Sequence, residues 1–415
     1  MTVIARFAAR SCELAAAGLV LAAAFWPAAA GAAGPFPAAT DVRLGGDEHN
    51  TRLVIDLTEK IDVATFTLAD PYRVVIDLPQ INFQIPARAG DKGRGLIKAF
   101  RYGLIMQGGS RIVIDAKGPV KVEKSFVLAA SDGQPARLVV DLAATDRDSF
   151  MRHLSLASHA PRQPAKRNLP AVDPGDPRPL IVIDPGHGGI DTGAKAPGNG
   201  GDEKTMVLNF ALALRDHLEK SGRYRVAMTR SDDTFVPLNE RVRIARALKA
   251  SLFVSIHADY LPKAEGEAQG ATVYTLSENA SDAEAARLAE AENKADVIAG
   301  IDLTREPNDV ADILIDLLQR ETKSFSVQLA RGLVTEMKTA TRLHANPVRS
   351  AGFIVLRAPD VPSVLVELGY MTNKHDLKLL MSEGWRLKAA QSMVQAVDAF
   401  FRTQVAGTDV APTRR

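Results

Sequence analysis

The chain has 415 residues, is 46% apolar and carries a net charge of +2. That length accommodates two domains with extra segments, and the near-neutral balance gives no electrostatic footprint for a nucleic-acid partner. The single cysteine, Cys12, lies before the first apolar segment, which excludes a disulfide scaffold and removes thiolate from the candidate metal ligands.

Residues 1–32 are expected to form a secretory signal peptide. Arg6 and Arg10 make a basic flank, Leu14 to Trp26 an apolar core, and the alanines around Gly31 a small-residue exit. The core is too short to span a bilayer, so the mature protein is expected without a membrane span and in an oxidising compartment.

Residues 39–145 repeat one strand signature four times, beginning at Arg52, Arg73, Arg111 and Arg137 and closing on Asp56, Asp77, Asp115 and Asp141. On a strand, Leu53, Ile55 and Leu57 share one face while Arg52, Val54 and Asp56 share the other. Uneven spacing between the copies argues against a solenoid. Two similar halves of a β-sandwich fit better, with the outward Arg and Asp pairing across strands. Residues 146–178 contain Pro161, Pro164, Pro170, Pro174 and Pro177 and are expected to be a solvated linker.

Residues 179–403 alternate strands and helices, the pattern of a mostly parallel twisted sheet flanked by helices. Strands are expected at Leu180–Asp184, Arg223–Met228, Leu252–Ile256, Ala271–Leu276, Phe353–Leu356 and Ser363–Val366. Helices are expected at Met206–Lys220, Leu238–Lys249, Phe325–Thr339 and Trp385–Arg402. Residues 278–323 interrupt the alternation with a helical insertion. Its first part offers Ser281 as N-cap with Glu284 at capping-box spacing. Its second part sets Val310, Ile313, Leu314 and Leu317 on one face. Residues 404–415 are expected to be a disordered tail.

Three apolar strands finish in ionisable residues. His187 follows Ile183-Asp184-Pro185-Gly186, His257 ends Val254-Ser255-Ile256, and Glu367 ends Val364-Leu365-Val366. Ionisable groups at the ends of buried strands are costly unless paired, metal-bound or facing a cleft, and the carboxyl ends of strands are where open α/β sheets form sites. Glu203 opens the helix that follows the glycine-rich loop. Two imidazoles and one carboxylate leave the fourth tetrahedral position of one zinc ion to water. His187, Glu203 and His257 are therefore the expected metal ligands, with Glu367 as general base. His49, His153, His159, His217, His344 and His375 are expected to be surface or packing residues.

These motifs, Asp184 to Gly189, Glu203-Lys204, Ser255 to Asp259 and Val364 to Tyr370, resemble zinc-dependent N-acetylmuramoyl-L-alanine amidases of the cell-division (AmiA/B/C-like) type. Residues 39–145 resemble the AMIN domain that precedes such amidases and targets them to peptidoglycan at the septum. The resemblance implies a periplasmic, septum-enriched enzyme that cuts the amide between N-acetylmuramic acid and L-alanine in cell-wall remodelling and daughter-cell separation. It assigns zinc to His187, Glu203 and His257 and catalysis to Glu367. It also implies autoinhibition: a glutamate of the insertion, here Glu284 with Glu290 and Glu292 as rivals, occupies the open zinc position until a LytM-type activator displaces it. Val310, Ile313, Leu314 and Leu317 would be the activator's docking face. Two other readings remain open on the residues alone: a non-catalytic peptidoglycan-binding protein and another zinc-dependent wall peptidase.

Overall fold

The computed structural model describes residues 36–86, 88–106, 108–156, 169–173, 175–197, 201–258, 268–299 and 313–408. The expected signal peptide, most of the expected linker, and Val310 lie outside the described residues.

The N-terminal part is a sandwich of nine strands: β1 (Ala38–Gly46), β2 (Asn50–Leu57), β3 (Ala64–Leu68), β4 (Arg73–Pro79), β5 (Asn82–Phe83), β6 (Ile97–Met106), β7 (Gly109–Ala116), β8 (Val120–Leu128) and β9 (Ala136–Ala144). One sheet runs β5-β1-β2-β9-β8 and the other β3-β4-β7-β6. The first and fourth copies of the repeated signature are neighbours in one sheet, and the second and third are neighbours in the other. Leu53, Ile55, Val74, Ile76, Ile112, Ile114, Leu138 and Val140 fill the space between. On the outward faces Arg52 pairs with Asp141 at 2.6 Å, Arg111 with Asp77 at 2.6 Å and Arg73 with Asp115 at 3.2 Å. The fourth rung departs from the pattern: Asp56 pairs with Arg43 on β1 instead of with Arg137.

A helix, α1 (Arg147–Leu156), follows at once, where the linker was expected to begin. Buried Phe150 stacks edge-on against Tyr72 at 5.0 Å, which fixes this helix to the sandwich.

The C-terminal part comprises β10 (Leu180–Pro185), α2 (Glu203–Lys220), β11 (Arg225–Met228), α3 (Leu238–Ala247), β12 (Leu252–His257), β13 (Ala271–Leu276), α4 (Ala283–Glu292), α5 (Ala295–Ile298), α6 (Ile313–Met337), β14 (Leu343–Ala351), β15 (Ser363–Glu367), α7 (Lys374–Leu380) and α8 (Glu383–Thr408). The sheet order is β11-β10-β12-β15-β13-β14. All pairings are parallel except β13 with β15. Alternate residues of β10 serve two cores: Ile181 and Ile183 face α2, α6 and α8, while Leu180 and Val182 face α3 and α4. A sheet buried on both faces is why these strands are continuously apolar rather than alternating.

Several expectations need correction. Phe353–Leu356 is not a strand; Ile354–Leu356 form a 3-10 turn, and the edge strand is β14, whose polar and proline-containing sequence hides it. The helix expected from Phe325 begins at Ile313. The tail expected from residue 404 continues as α8 to Thr408. The N-cap of α4 is Asp282 and not Ser281: the Asp282 carboxylate accepts from Ala285 N at 2.9 Å, the stronger, charge-assisted cap.

The two parts pack through the outward face of the four-stranded sheet. Val75 and Val113 from that face join Ile190, Phe235 and Ala299 in one apolar cluster. Phe235 N donates to Leu104 O at 3.2 Å, and Arg111 Nη1 donates to Ala299 O at 2.7 Å. Gly103 meets the backbone of Gly189 and Ile190 so closely that a methyl group there would overlap it. The sandwich thus rests on the loop that carries His187.

Candidate metal centre

β10, β12 and β15 are adjacent, so their carboxyl ends deliver His187, His257 and Glu367 to one edge of the sheet. His257 and Glu367 are direct partners in the parallel register. His187 lies just past β10 with φ +60, a left-handed conformation unusual for a residue with a side chain. Two buried arginines hold that bend. Arg241 donates to Asp184, Pro185 O and His187 O, each at 2.8 Å. Arg230 donates to Pro185 O, Gly186 O and Lys204 O at 2.7–3.0 Å. Asp184 is fully buried and also accepts from Thr229 and Ser255 at 2.6 and 2.7 Å. Gly186 lies against the His257 ring, and a Cβ there would overlap the imidazole.

Glu203 opens α2 and is 2% exposed. Its Oε1 accepts from Ala258 N and its Oε2 from Ala194 N, both at 2.8 Å. Oε1 is also 3.0 Å from His187 Nε2 and 3.4 Å from His257 Nδ1. Those two ring nitrogens are buried and neither makes a hydrogen bond of acceptable alignment. The ligand atoms of the three residues all lie within 4.8 Å of one another.

This donor set fits zinc. At Zn–N and Zn–O bonds of about 2.0–2.1 Å, the vertices of a coordination tetrahedron stand about 3.3–3.4 Å apart; Glu203 Oε1 lies 3.4 Å from His257 Nδ1 and 3.0 Å from His187 Nε2, so a small outward shift on the His187 side completes the match. Converging lone pairs without hydrogen-bond partners in a buried site are what a cation satisfies. Electrostatics agrees. Burial opposes charge on His257, yet the carboxylates of Glu292 and Glu203 lift its pKa to about 9. Burial likewise opposes charge on Glu203, but His187 and His257 hold it well below the ordinary carboxylate range. The cluster favours added positive charge, which a bound dication would supply.

Asp191 was not among the expected site residues. Its Oδ2 lies 2.8 Å from His187 Nδ1, the contact that fixes tautomer and ring orientation in a metal-binding histidine. The signal was the four-residue spacing, meaningful only because Gly188 and Asp191 exchange backbone hydrogen bonds and fold the loop back.

The insertion reaches this centre, but not through the residue expected. Glu292, the last residue of α4, places Oε2 at 3.1 Å from His257 Nδ1 and 3.6 Å from His187 Nε2. Glu284, the expected plug, is held at the other end of α4, where Arg349 and Tyr370 bind its carboxylate at 3.0 and 2.7 Å. Position early in the helix was the wrong criterion, because the C-terminal end of α4 is the end that meets the strand ends. Asn293 secures it by donating to Gly352 O and accepting from Ile354 N. The space left among His187, His257, Glu292 and Arg241 is about 10 Å³, too small for a substrate and at the limit for one water. Ile313, Leu314 and Leu317 fall in the first turns of α6; their side chains and Val310 are outside the described residues.

Comparison with known proteins gives a consistent result. The N-acetylmuramoyl-L-alanine amidase family profile matches residues 181–399, and the AMIN domain profile matches residues 41–142. The chain is 35% identical to an N-acetylmuramoyl-L-alanine amidase AmiC of Neisseria meningitidis, over 89% of this chain and 91% of that one. It is 32% identical to AmiC of Escherichia coli over 87% and 88% of the respective chains. Against AmiA of Escherichia coli the identity is 41% over 54% of this chain and 76% of that one.

Proposed function

Because the chain belongs to the N-acetylmuramoyl-L-alanine amidase family, we propose that it hydrolyses the amide joining N-acetylmuramic acid to L-alanine in peptidoglycan, with zinc held by His187, Glu203 and His257. The observation that carries this is the convergence of Glu203 Oε1 on two buried imidazole nitrogens at 3.0 and 3.4 Å, beside the buried carboxylate of Glu367.

When bound, zinc supplies a Lewis acid for the amide carbonyl and an acidified water. The chain's residues do the rest. Glu367, adjacent to His257 in register, accepts the proton of the attacking water and returns it to the leaving nitrogen of L-alanine. Asp191 holds the His187 ring with Nε2 facing the centre. The backbone amides of Ala194 and Ala258 fix the Glu203 carboxylate, so no reorganisation of this ligand is needed.

Glu292 would occupy the coordination position that catalysis needs, which keeps a wall-cutting enzyme silent. Release would require α4 to withdraw, and an activator of the LytM type docking on Val310, Ile313, Leu314 and Leu317 would be the trigger. The sandwich would hold the enzyme on the wall at the septum, and residues 1–32 would direct it to the periplasm.

Full-length protein should contain one zinc per chain and, as Glu292→Gln, release stem peptides beginning with L-alanine from sacculi, read by mass spectrometry. Cuts inside the stem peptide would make it a peptidase, and an inert, zinc-free protein would make it a binding module. Wild type is expected to be slower than Glu292→Gln by at least about tenfold, the equivalent of one ordinary charge-assisted contact. With Leu314→Asp, activator binding should fall; unchanged affinity would move the docking face elsewhere.

A further inference from the structure

Arg349 lies on β14 opposite Tyr274 on β13 and is 6% exposed. Its guanidinium meets two carboxylates, and both come from the insertion. Nη2 donates to Glu284 Oε2 at 3.0 Å, and Nε is 3.4 Å from Asp282 Oδ2. Tyr370, fully buried three residues beyond Glu367, donates its hydroxyl to the other Glu284 oxygen, Oε1, at 2.7 Å. His344, also on β14, sets its ring 6.3 Å from that of Tyr370. A guanidinium and a phenol thus grip the two oxygens of one carboxylate, with a second basic group at the rim.

Arg349 lies in the catalytic sheet and Tyr370 on the loop that follows β15, whereas Asp282 and Glu284 belong to the segment that must leave for the centre to open. When α4 withdraws, a guanidinium that was buried and paired is left in the vacated groove without either carboxylate. Once uncovered, that guanidinium and the Tyr370 hydroxyl present charge-assisted donors at a spacing that already grips one carboxylate, so the open enzyme offers a site for another. α4 itself spans from this site to the imidazoles, with Glu284 at one end and Glu292 at the other. Glu284 and Glu292 are eight residues apart on that helix, which at 1.5 Å per residue is about 12 Å. An extended peptide covers the same distance in about three to four residues.

We propose that Arg349 and Tyr370 form a subsite for a free carboxylate of the stem peptide, about three residues beyond the scissile amide, and that Glu284 fills it in the closed enzyme as Glu292 fills the centre. This rests on the amidase reading given above. α4 then mimics substrate at two points, and opening uncovers the recognition site and the reacting centre together.

The test uses full-length Glu292→Gln enzyme and two muramoyl tripeptides identical except that the C-terminal carboxylate is free in one and amidated in the other. The free acid should be preferred by about ten- to hundredfold in kcat/KM, chiefly through KM, as expected for a hydrogen-bonded charge pair. Adding Arg349→Gln should erase the preference between the two peptides. Adding Arg349→Lys should restore part of it, and the milder Tyr370→Phe should reduce it. Adding Glu284→Gln should leave it intact. If Arg349 served only to tether α4, Arg349→Gln and Glu284→Gln would behave alike on both peptides, which overturns the subsite. Equal cleavage of both peptides by the Glu292→Gln enzyme overturns the subsite alone. Inert peptides together with undigested sacculi overturn the amidase reading, and the subsite with it.

Discussion

The sandwich and the catalytic sheet both carry charged side chains on apolar strands, and they neutralise them in different ways. In the sandwich the charges sit on outward faces, and in three of the four rungs each finds its partner one strand away in register: Arg52 opposite Asp141, Arg111 opposite Asp77, Arg73 opposite Asp115. In the catalytic sheet they sit at strand ends inside the molecule. Asp184 is satisfied there by Arg241, Thr229 and Ser255, while His187 Nε2 and His257 Nδ1 are left facing Glu203 and Glu292 without aligned hydrogen bonds. A ladder of cross-strand pairs completes itself and does structural duty. A buried set left incomplete is arranged to hold a cation, and this separates a candidate site from a scaffold.

Substitutions can break that distinction, and the largest effect falls on the incomplete set. His187→Ala should abolish bound zinc and reduce sacculus digestion below detection while the circular-dichroism spectrum stays native; retained zinc would mean the centre lies elsewhere. Next is Asp184→Ala, which strands the Arg241 guanidinium in the core and should cost about 3–5 kcal/mol in urea unfolding. Arg111→Ala comes third. Its side chain is 4% exposed, so loss of its bonds to Asp77 and Ala299 O should cost on the order of 3 kcal/mol. Asp191→Ala should weaken zinc affinity by about 10- to 100-fold, the usual range for a residue that orients a metal-binding histidine. Arg52→Ala should cost under about 1 kcal/mol, because its pair with Asp141 is largely exposed. Equal costs for Arg111→Ala and Arg52→Ala would show that the two faces of the sandwich do not differ energetically.

That last pair also bears on what could be read in advance. The four copies of the strand signature are alike in sequence, and pairing of their Arg and Asp across strands was legible from alternation alone. Three rungs form as expected. Which copies would be covered was not legible: Val75 and Val113 are buried by Ile190 and Phe235, residues more than 70 positions away from either in the chain. At the centre, His187, His257 and Glu367 announced themselves by ending apolar strands, and Glu203 by opening a helix beside the glycine-rich loop. The fault lay in the insertion. Glu284, Glu290 and Glu292 occur on one alanine-rich helix with similar surroundings in sequence, and helical period alone does not say which end of that helix meets the sheet.

Local alternation of apolar and polar residues is written in the chain. That alternation decides the strand faces, the helix stripes and the types of residue able to bind a metal, because side-chain direction follows from two short periods. Which distant residues meet is settled by packing alone: Glu292 rather than Glu284 at the imidazoles, Arg349 beneath α4, and the four-stranded sheet against the His187 loop. Those contacts depend on the direction and register with which whole elements pack, and no local period encodes them.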